Sequence, residues 1–462
     1  MFLRVILLNV LEIKQKLLTL IEAKEARIAV LGLGCVGLPT AALFANLGFR
    51  VTGVDINPKI VDQINSCVLH TKECSLDKLV ITAHHKGLLS ATSASSEALS
   101  AADVLIVCVQ TPVDNQGNAN LSFLRGACEE IAKILKRDKF VVIQSTVPPK
   151  TIGTIIVPIL EKGSGLRCGV DFWLTYCPER MAPGNGLNDL GANARLIGAY
   201  DSESGVLGSA LFKLATNGKL LMTDIPSAEV SKLAENTFRF VNIAFANELA
   251  LICKQIGVDA NEVIELANTH PRVNIHQPGC GAGGPCLSKD THLLLSSIKL
   301  STSKVEVISA AIRLNSKMPR YIANLAVDAL CKKGKTVSKS KIAIFGTAYK
   351  GDVDDSRDSP AEEIIRELKK RKATLVVFDP NCSESFGEKK ASSATEASME
   401  ADCIIIATDH KEFFELNLSA IKKLMKENPI IVDAKRTISP AEAKLQGFEY
   451  VTTSCVKENV AP

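Results

Sequence analysis

Arg27-Ile-Ala-Val-Leu-Gly32-Leu-Gly34-Cys-Val-Gly37 is the stretch on which the fold turns, an apolar run that ends on three spaced glycines. Residues 27–34 read as a strand, and the residues up to Leu47 as the helix that it feeds. Glycine at 32 permits a tight turn, glycine at 34 lets backbone approach a bound group, and glycine at 37 lets the helix lie close to the strand. The start of that helix, around Val36, offers unpaired N–H groups to an anion. A second apolar strand, Arg50–Ile56, carries Asp55 eighteen residues after Gly37, where a carboxylate can accept from ribose hydroxyls. Three glycines alone are a weak signal, but strand, turn, helix, strand and terminal acid in this order point to a dinucleotide. No arginine follows Asp55 directly and its charge repels a 2′-phosphate, so NAD is expected over NADP, with Lys59 the nearby cation that argues the other way.

Outward from this unit, strands are predicted at Val104–Val109, Phe140–Thr146, Phe172–Tyr176 and Leu196–Ala199, with helical stretches between most of them. That alternation implies a parallel sheet covered on both faces. From Ser202 to Leu330 strand signals nearly vanish, and Glu229–Gly257 reads as one long helix of about 42 Å at 1.5 Å per residue. Lys332–Lys341, with five lysines and two serines, reads as an exposed linker. A second alternation follows: a strand at Lys341–Phe345, a helix at Ala361–Lys372, and strands at Thr374–Asp379, Cys403–Ala407 and Pro429–Asp433. The expected class is α/β, two doubly wound Rossmann-like domains joined by a central long-helix region. Its expected parts are an N-terminal helical extension (1–26), a dinucleotide-binding domain (27–201), a central helical domain (202–331) and a second Rossmann-like domain (332–462).

Composition sets the bounds. A chain of 462 residues with 46% hydrophobic content can bury large cores, and 54 basic against 50 acidic residues give no global pull toward nucleic acid. Met1–Val10 is apolar apart from Arg4 and Asn9, but it is short and is followed by Glu12, Lys14 and Lys16. Neither a signal peptide nor a membrane span is expected there; Leu7–Ala26 reads as an amphipathic helix, and a cytoplasmic location follows. The fourteen cysteines lack metal-ligand spacing and fit a reducing compartment, so no metal is expected. Residues 457–462 read as a frayed tail.

Gln110-Thr-Pro-Val and Ser145-Thr-Val-Pro-Pro each leave an apolar strand, so Thr111 and Thr146 are expected at the ligand crevice beyond the strand ends. Tyr176-Cys-Pro-Glu-Arg-Met-Ala-Pro-Gly puts Glu179 at the same kind of edge, where a carboxylate can take a proton from an alcohol or activate water, or simply be solvated. Lys232 and Asn236 project from one helix face, where an ammonium and an amide can hold an oxyanion or a water. Gly279-Cys-Gly-Ala-Gly-Gly-Pro-Cys-Leu-Ser-Lys-Asp290 ends a glycine-dense loop on Cys286, with Lys289 and Asp290 just beyond. A cysteine taken alone is more often a small buried hydrophobe; its setting beside a nicotinamide signature suggests oxidation through a covalent thioester. The second α/β unit has no three-glycine turn. It has Phe345-Gly-Thr-Ala-Tyr-Lys350, Ser356-Arg357 and Asp433-Ala-Lys-Arg436, basic groups at strand ends that can grip a diphosphate, so the substrate itself is expected to carry a nucleotide.

These pieces in this order, from about Arg27 to Arg436, resemble the UDP-glucose/GDP-mannose dehydrogenase family of nucleotide-sugar 6-dehydrogenases. The resemblance implies a four-electron oxidation of the sugar's C6 alcohol to a carboxylate with two NAD⁺, a UDP-sugar-binding C-terminal domain and a homodimer or higher homo-oligomer, without nucleic acid or membrane partners. It implies Cys286 as nucleophile, Lys232, Asn236 and Asp290 in the first oxidation, and Glu179 in sugar positioning and thioester hydrolysis. Gly32, Gly34, Val36, Gly37, Asp55, Lys59, Thr111, Thr146, Lys289 and Arg357 fall on cofactor positions. Arg180, His270, Gly283, Tyr349, Lys350 and Arg436 fall on substrate positions, and Arg272 on one that reaches the neighbouring subunit's substrate. The stretches Cys177–Gly184 and His270–Gly279 look like the branch acting on UDP-N-acetylhexosamines; enzymes for UDP-glucose more often carry an acid where Pro183 stands. UDP-N-acetyl-D-mannosamine is the expected sugar, with UDP-N-acetylglucosamine and UDP-glucose as alternatives, and a non-catalytic nucleotide-sugar-binding protein as the reading from another class. Many members of that branch have His before the catalytic cysteine; here it is Pro285.

Overall fold

The computed structural model describes residues 15–69, 74–114, 117–181, 192–296 and 305–455. The chain before residue 15, Pro183 and the tail 457–462 lie outside them. Two compact units are present, Met1–Glu235 with His292–Lys299, and Asn236–Thr291 with Leu300–Pro462. One 32-residue helix, Ile225–Ile256, runs from the first into the second.

The first unit is built on an eight-stranded sheet with the order β3-β2-β1-β4-β5-β6-β7-β8. Its strands are β1 (Arg27–Leu31), β2 (Arg50–Val54), β3 (Leu89–Thr92), β4 (Val104–Val107), β5 (Phe140–Ile143), β6 (Trp173–Tyr176), β7 (Arg195–Ala199) and β8 (Leu220–Asp224). Side-chain alternation splits each central strand between two cores. Ile28, Val30, Val104, Ile106, Phe140 and Val142 enter one, while Ala29, Leu31, Leu105, Val107, Val141 and Ile143 enter the other. A sheet buried on both faces is what continuous apolar strands predict. Two corrections apply. β7 runs antiparallel to β6, so the sheet is mixed; and β8 lies inside the stretch that reads as nearly strand-free, paired in parallel with β7.

The second unit repeats the plan in six parallel strands ordered β11-β10-β9-β12-β13-β14: β9 (Lys341–Phe345), β10 (Thr374–Phe378), β11 (Lys389–Lys390), β12 (Cys403–Ile406), β13 (Ile430–Asp433) and β14 (Glu449–Thr452). The helix Pro360–Lys370 that follows β9 is specified locally, with Ser359 capping its N-terminus, proline in the first turn, Glu362 and Glu363 just inside, and Lys369 and Lys370 at its end. A 27-residue helix, Glu306–Lys332, lays Ile322, Ala323, Ala326 and Leu330 on the same core as Ile342 and Ile344. The lysine-rich stretch after it is therefore an ordered turn: Lys335 Nζ is 3.0 Å from Asp402 Oδ1, and Ser340 is buried.

Candidate active site

The β1 turn in the first unit has the shape that its glycines predict. Gly32 has φ +86°, and its N–H donates to the carbonyl of Val54 at 2.8 Å, tying the turn to β2. A Cβ on Gly37 would lie 1.7 Å from the carbonyl oxygen of Gly32, so only glycine lets the helix Gly37–Asn46 start there. Gly34 differs: a Cβ there would meet no protein atom within 4 Å. Its side is open, as close approach by a ligand requires. The helix that follows has no side-chain cap and no acid in its first turn, which leaves its positive end to an anion. Asp55 stands beyond β2 and accepts the N–H of Leu33 at 2.7 Å and of Asn57 at 2.9 Å, so its carboxylate is aimed by the turn it faces. Lys59 is exposed in the first turn of the helix Pro58–Asn65. These residues fit an NAD pyrophosphate and adenosine ribose.

Beyond β4 and β5 the two expected threonines meet, Thr111 Oγ1 donating to the carbonyl of Thr146 at 2.6 Å. Beyond β6, Glu179 is buried and accepts from Arg195 Nη1 at 2.8 Å and from the N–H of Arg180 at 2.7 Å. The Arg180 guanidinium reaches back to Glu235, with contacts of 2.5 and 3.1 Å. Lys232 is buried on the long helix and makes no ion pair among the described residues.

In the second unit Cys286 is exposed, immediately before the helix Leu287–Ser296. The buried thiols differ: burial pushes Cys177 and Cys280 up to about 12. Asp290 is buried, accepts from Asn236 Nδ2 at 2.6 Å, and stands 3.7 Å from Lys289 Nζ. Asparagines pin the loop before the thiol. Asn315 both accepts from the N–H of Ala282 at 2.6 Å and donates to its carbonyl at 3.1 Å, and Asn247 accepts from the N–H of Gly279 at 2.7 Å. The loop packs on Tyr349, since a Cβ on Gly284, at φ +85°, would lie 2.5 Å from that ring. Arg436 is paired with Asp259 at 2.5 Å and keeps a buried Nη1 without a hydrogen-bond partner. Lys350, His270 and Arg272 are exposed, and Arg357 is gripped by Asp355 at 2.9 and 2.5 Å.

The second sheet also carries a β1-type turn. Gly346, at φ +93°, donates to Phe378 as Gly32 does to Val54. Here the acid beyond the second strand, Asp379, is consumed: it accepts from the N–H groups of Thr347 and Ala348 and from His410 Nε2 at 3.0 Å. Burial works against its ionisation, but these donors, with the N–H of Cys382, hold its carboxyl well below the usual range. Ala348 is buried where the first turn has open Gly34. This turn is therefore filled from within.

Sequence reasoning missed Arg195, Glu235, Asn247 and Asn315. Only a run of polar residues on an otherwise apolar helix or strand could have marked them. No group of three or more potential metal ligands exists among the described residues.

Family models describe three stretches of this chain: the NAD-binding domain of the UDP-glucose/GDP-mannose dehydrogenase family at residues 26–216, its central domain at 226–317 and its UDP-binding domain at 343–440. A UDP-N-acetyl-D-mannosamine dehydrogenase of Pyrococcus horikoshii is 41% identical over 412 residues, 89% of this chain and 96% of the relative. The solved structure of UDP-D-ManNAc dehydrogenase from that organism superposes with a TM-score of 0.87 at 40% identity, covering 92% of this chain and 99% of that one. An NDP-N-acetyl-D-galactosaminuronic acid dehydrogenase from Methanosarcina mazei superposes with a TM-score of 0.82 at 30% identity, covering 95% and 98%.

Proposed function

Because this chain belongs to the UDP-glucose/GDP-mannose dehydrogenase family, we propose that it oxidises the C6 hydroxyl of UDP-N-acetyl-D-mannosamine to the carboxylate through a thioester on Cys286. The carrying observation is the exposed Cys286 thiol, ending a loop that Asn247 and Asn315 pin, in a chain that also bears a dinucleotide turn. Relatives named for N-acetylmannosamine support the sugar.

Bound at the Gly32–Gly37 turn, NAD⁺ supplies the hydride acceptor for both two-electron stages. The chain's own groups handle protons, charge and carbon. The Lys232 ammonium stabilises the C6 alkoxide, and Asn236 with Asp290, joined at 2.6 Å, holds the water that takes the hydroxyl proton. Cys286 sulfur adds to the aldehyde carbon, the carbonyl electrons pass to oxygen, and a thiohemiacetal forms. After the second oxidation the adduct is a thioester. Water adds to it, the C–S bond breaks, and the thiolate returns as the carboxylate departs; Glu179, oriented by Arg195 and the Arg180 N–H, takes the water's proton. Thr111, Thr146, Lys289 and Arg357 contact the cofactor, and Arg180, His270, Gly283, Tyr349, Lys350 and Arg436 the UDP-sugar.

The working form in this reading is a homodimer, in which Arg272 reaches the neighbouring subunit's substrate. Phe238, Phe245 and Ile252 support it: they recur at seven-residue intervals along the long helix and are 65%, 50% and 50% exposed. We assign the enzyme to the cytoplasm; no described helix is long and apolar enough to cross a membrane. The test is product mass with UDP-N-acetyl-D-mannosamine, UDP-N-acetylglucosamine, UDP-N-acetylgalactosamine and UDP-glucose. Uronate from the first in clear preference is expected; preference for another overturns the sugar, and no product from any overturns the reaction.

A further inference from the structure

Glu229 is a buried acid that the reaction leaves without a role. Glu229 lies in the first turns of the helix Ile225–Ile256 and has no solvent exposure. Its carboxylate accepts the N–H of Lys150 at 2.5 Å and of Ile152 at 2.9 Å. Those donors open the helical segment that follows β5, so Glu229 caps a helix that is not its own.

Three expected site residues lie close by in sequence. Thr146 is four residues before Lys150 on the capped loop, already joined to Thr111. Lys232 and Asn236 are three and seven residues after Glu229, on the same helix face. The start of this helix is also set hard against β7, where a Cβ on Gly198 would lie 2.7 Å from Ala228 Cβ and 3.1 Å from Ile225 Cα. The helix thus has a packing anchor at Gly198 and a polar anchor at Glu229.

We propose that Glu229 is a positioning residue for the first oxidation: its two carboxylate oxygens lock the loop that carries Thr146 to the helix face that carries Lys232. The proposal rests on the reaction proposed above and adds to it the group that holds the cofactor side and the alkoxide-stabilising cation in one register.

The charge state of this acid separates positioning from plain structure. Burial pushes the carboxyl up to about 7, against the two N–H bonds. The charged groups on the two elements that enclose it, Lys150 with an exposed side chain and Lys232 one turn along, do not contribute. With a folded value above the unfolded one, the native state binds the extra proton between them, so stability falls as pH rises through about 7. The fold keeps this carboxylate ionised in alkaline solution at a cost in stability, as functional groups often do. A glutamine has the same shape but only one acceptor oxygen, and its NH2 group faces the N–H that the second carboxylate oxygen accepts.

The experiment compares wild type, Glu229→Gln and Glu229→Asp for kcat, KM, NAD affinity and Tm across pH 6–9. In Glu229→Gln at pH 8, kcat is expected to fall about 10- to 100-fold with KM for the UDP-sugar within about 3-fold and Tm unchanged or raised. Wild-type kcat should rise through a group near 7; this limb should vanish in Glu229→Gln and survive in Glu229→Asp. A folded Glu229→Gln enzyme with wild-type kcat and the same limb overturns the proposal, as does one whose kcat per folded molecule equals that of wild type. If Glu229→Gln does not fold, amide exchange in wild type decides, corrected for intrinsic rates. Stronger protection of Lys150 and Ile152 at pH 8 than at pH 6 supports the lock, and equal or weaker protection overturns it. Wild-type uronate formation is scored alongside, so a failed reaction is not mistaken for an idle Glu229.

Discussion

Arg195→Met removes the cation from a buried ion pair that the sequence does not announce. The Arg195 and Glu179 side chains are 4% and 8% exposed, and the guanidinium nitrogen stands 2.8 Å from the carboxylate. In the variant Glu179 keeps the N–H of Arg180 but loses its ion-pair partner. Breaking one side of such a pair costs about 3–5 kcal/mol, because the remaining charge stays buried. The guanidinium also lies 5.5 Å from the Phe212 ring centroid, a contact that methionine keeps only as packing. At about 2–4 °C per kcal/mol for a unit of this size, the first thermal transition should fall by roughly 6–20 °C. The double variant Glu179→Gln with Arg195→Met carries neither charge of the pair, and should regain at least about 2 kcal/mol relative to the sum of the single variants. Urea unfolding of all four proteins, followed by a probe in the first unit, measures that coupling. If Arg195→Met costs under about 1 kcal/mol, or the coupling is zero, Glu179 is not held by this pair and its assigned orientation has no basis.

The two glycines of the β1 turn should separate binding from folding. Gly34→Val meets no protein atom near its Cβ and should keep Tm within about 2 °C while NAD affinity falls at least about 10-fold by calorimetry. Gly37→Ala drives a methyl into the Gly32 carbonyl and should lower Tm first; the reverse order would mean that the turn does not face the cofactor. Asp379 titrates below the usual carboxylate range, so it contributes stability above about pH 4 that is lost as the solution is made more acidic. Asp379→Asn should therefore be less stable at neutral pH and flatter toward pH 3 in urea midpoints; a pH profile parallel to wild type would contradict that role.

What was legible in the sequence was whatever the chain dictates locally. Gly32, Gly34, Gly37 and Asp55 announce themselves because a turn of this shape tolerates few residues. The Cys286 loop is similarly marked by its glycine density. β3, β8, β11 and β14 escaped notice because each has only two to five residues and draws its stability from neighbouring strands. Leu220–Asp224 is also largely solvent-facing, so no continuous apolar run marks it. Arg195, Glu235, Glu229 and Asn315 escaped for a related reason. Each is defined by a partner 16 to 79 residues away, and nothing local distinguishes a pinned asparagine from a solvated one. The second β1-type turn carries no three-glycine signature in the sequence. That Asp379 and His410 fill it required the folded chain.

The account stands or falls on stoichiometry. Wild-type enzyme with UDP-N-acetyl-D-mannosamine should release two NADH per uronate, and Cys286→Ala should form no uronate while binding NAD within about 2-fold of wild type. One NADH per product, or uronate formed at full rate by Cys286→Ala, would contradict the thioester route.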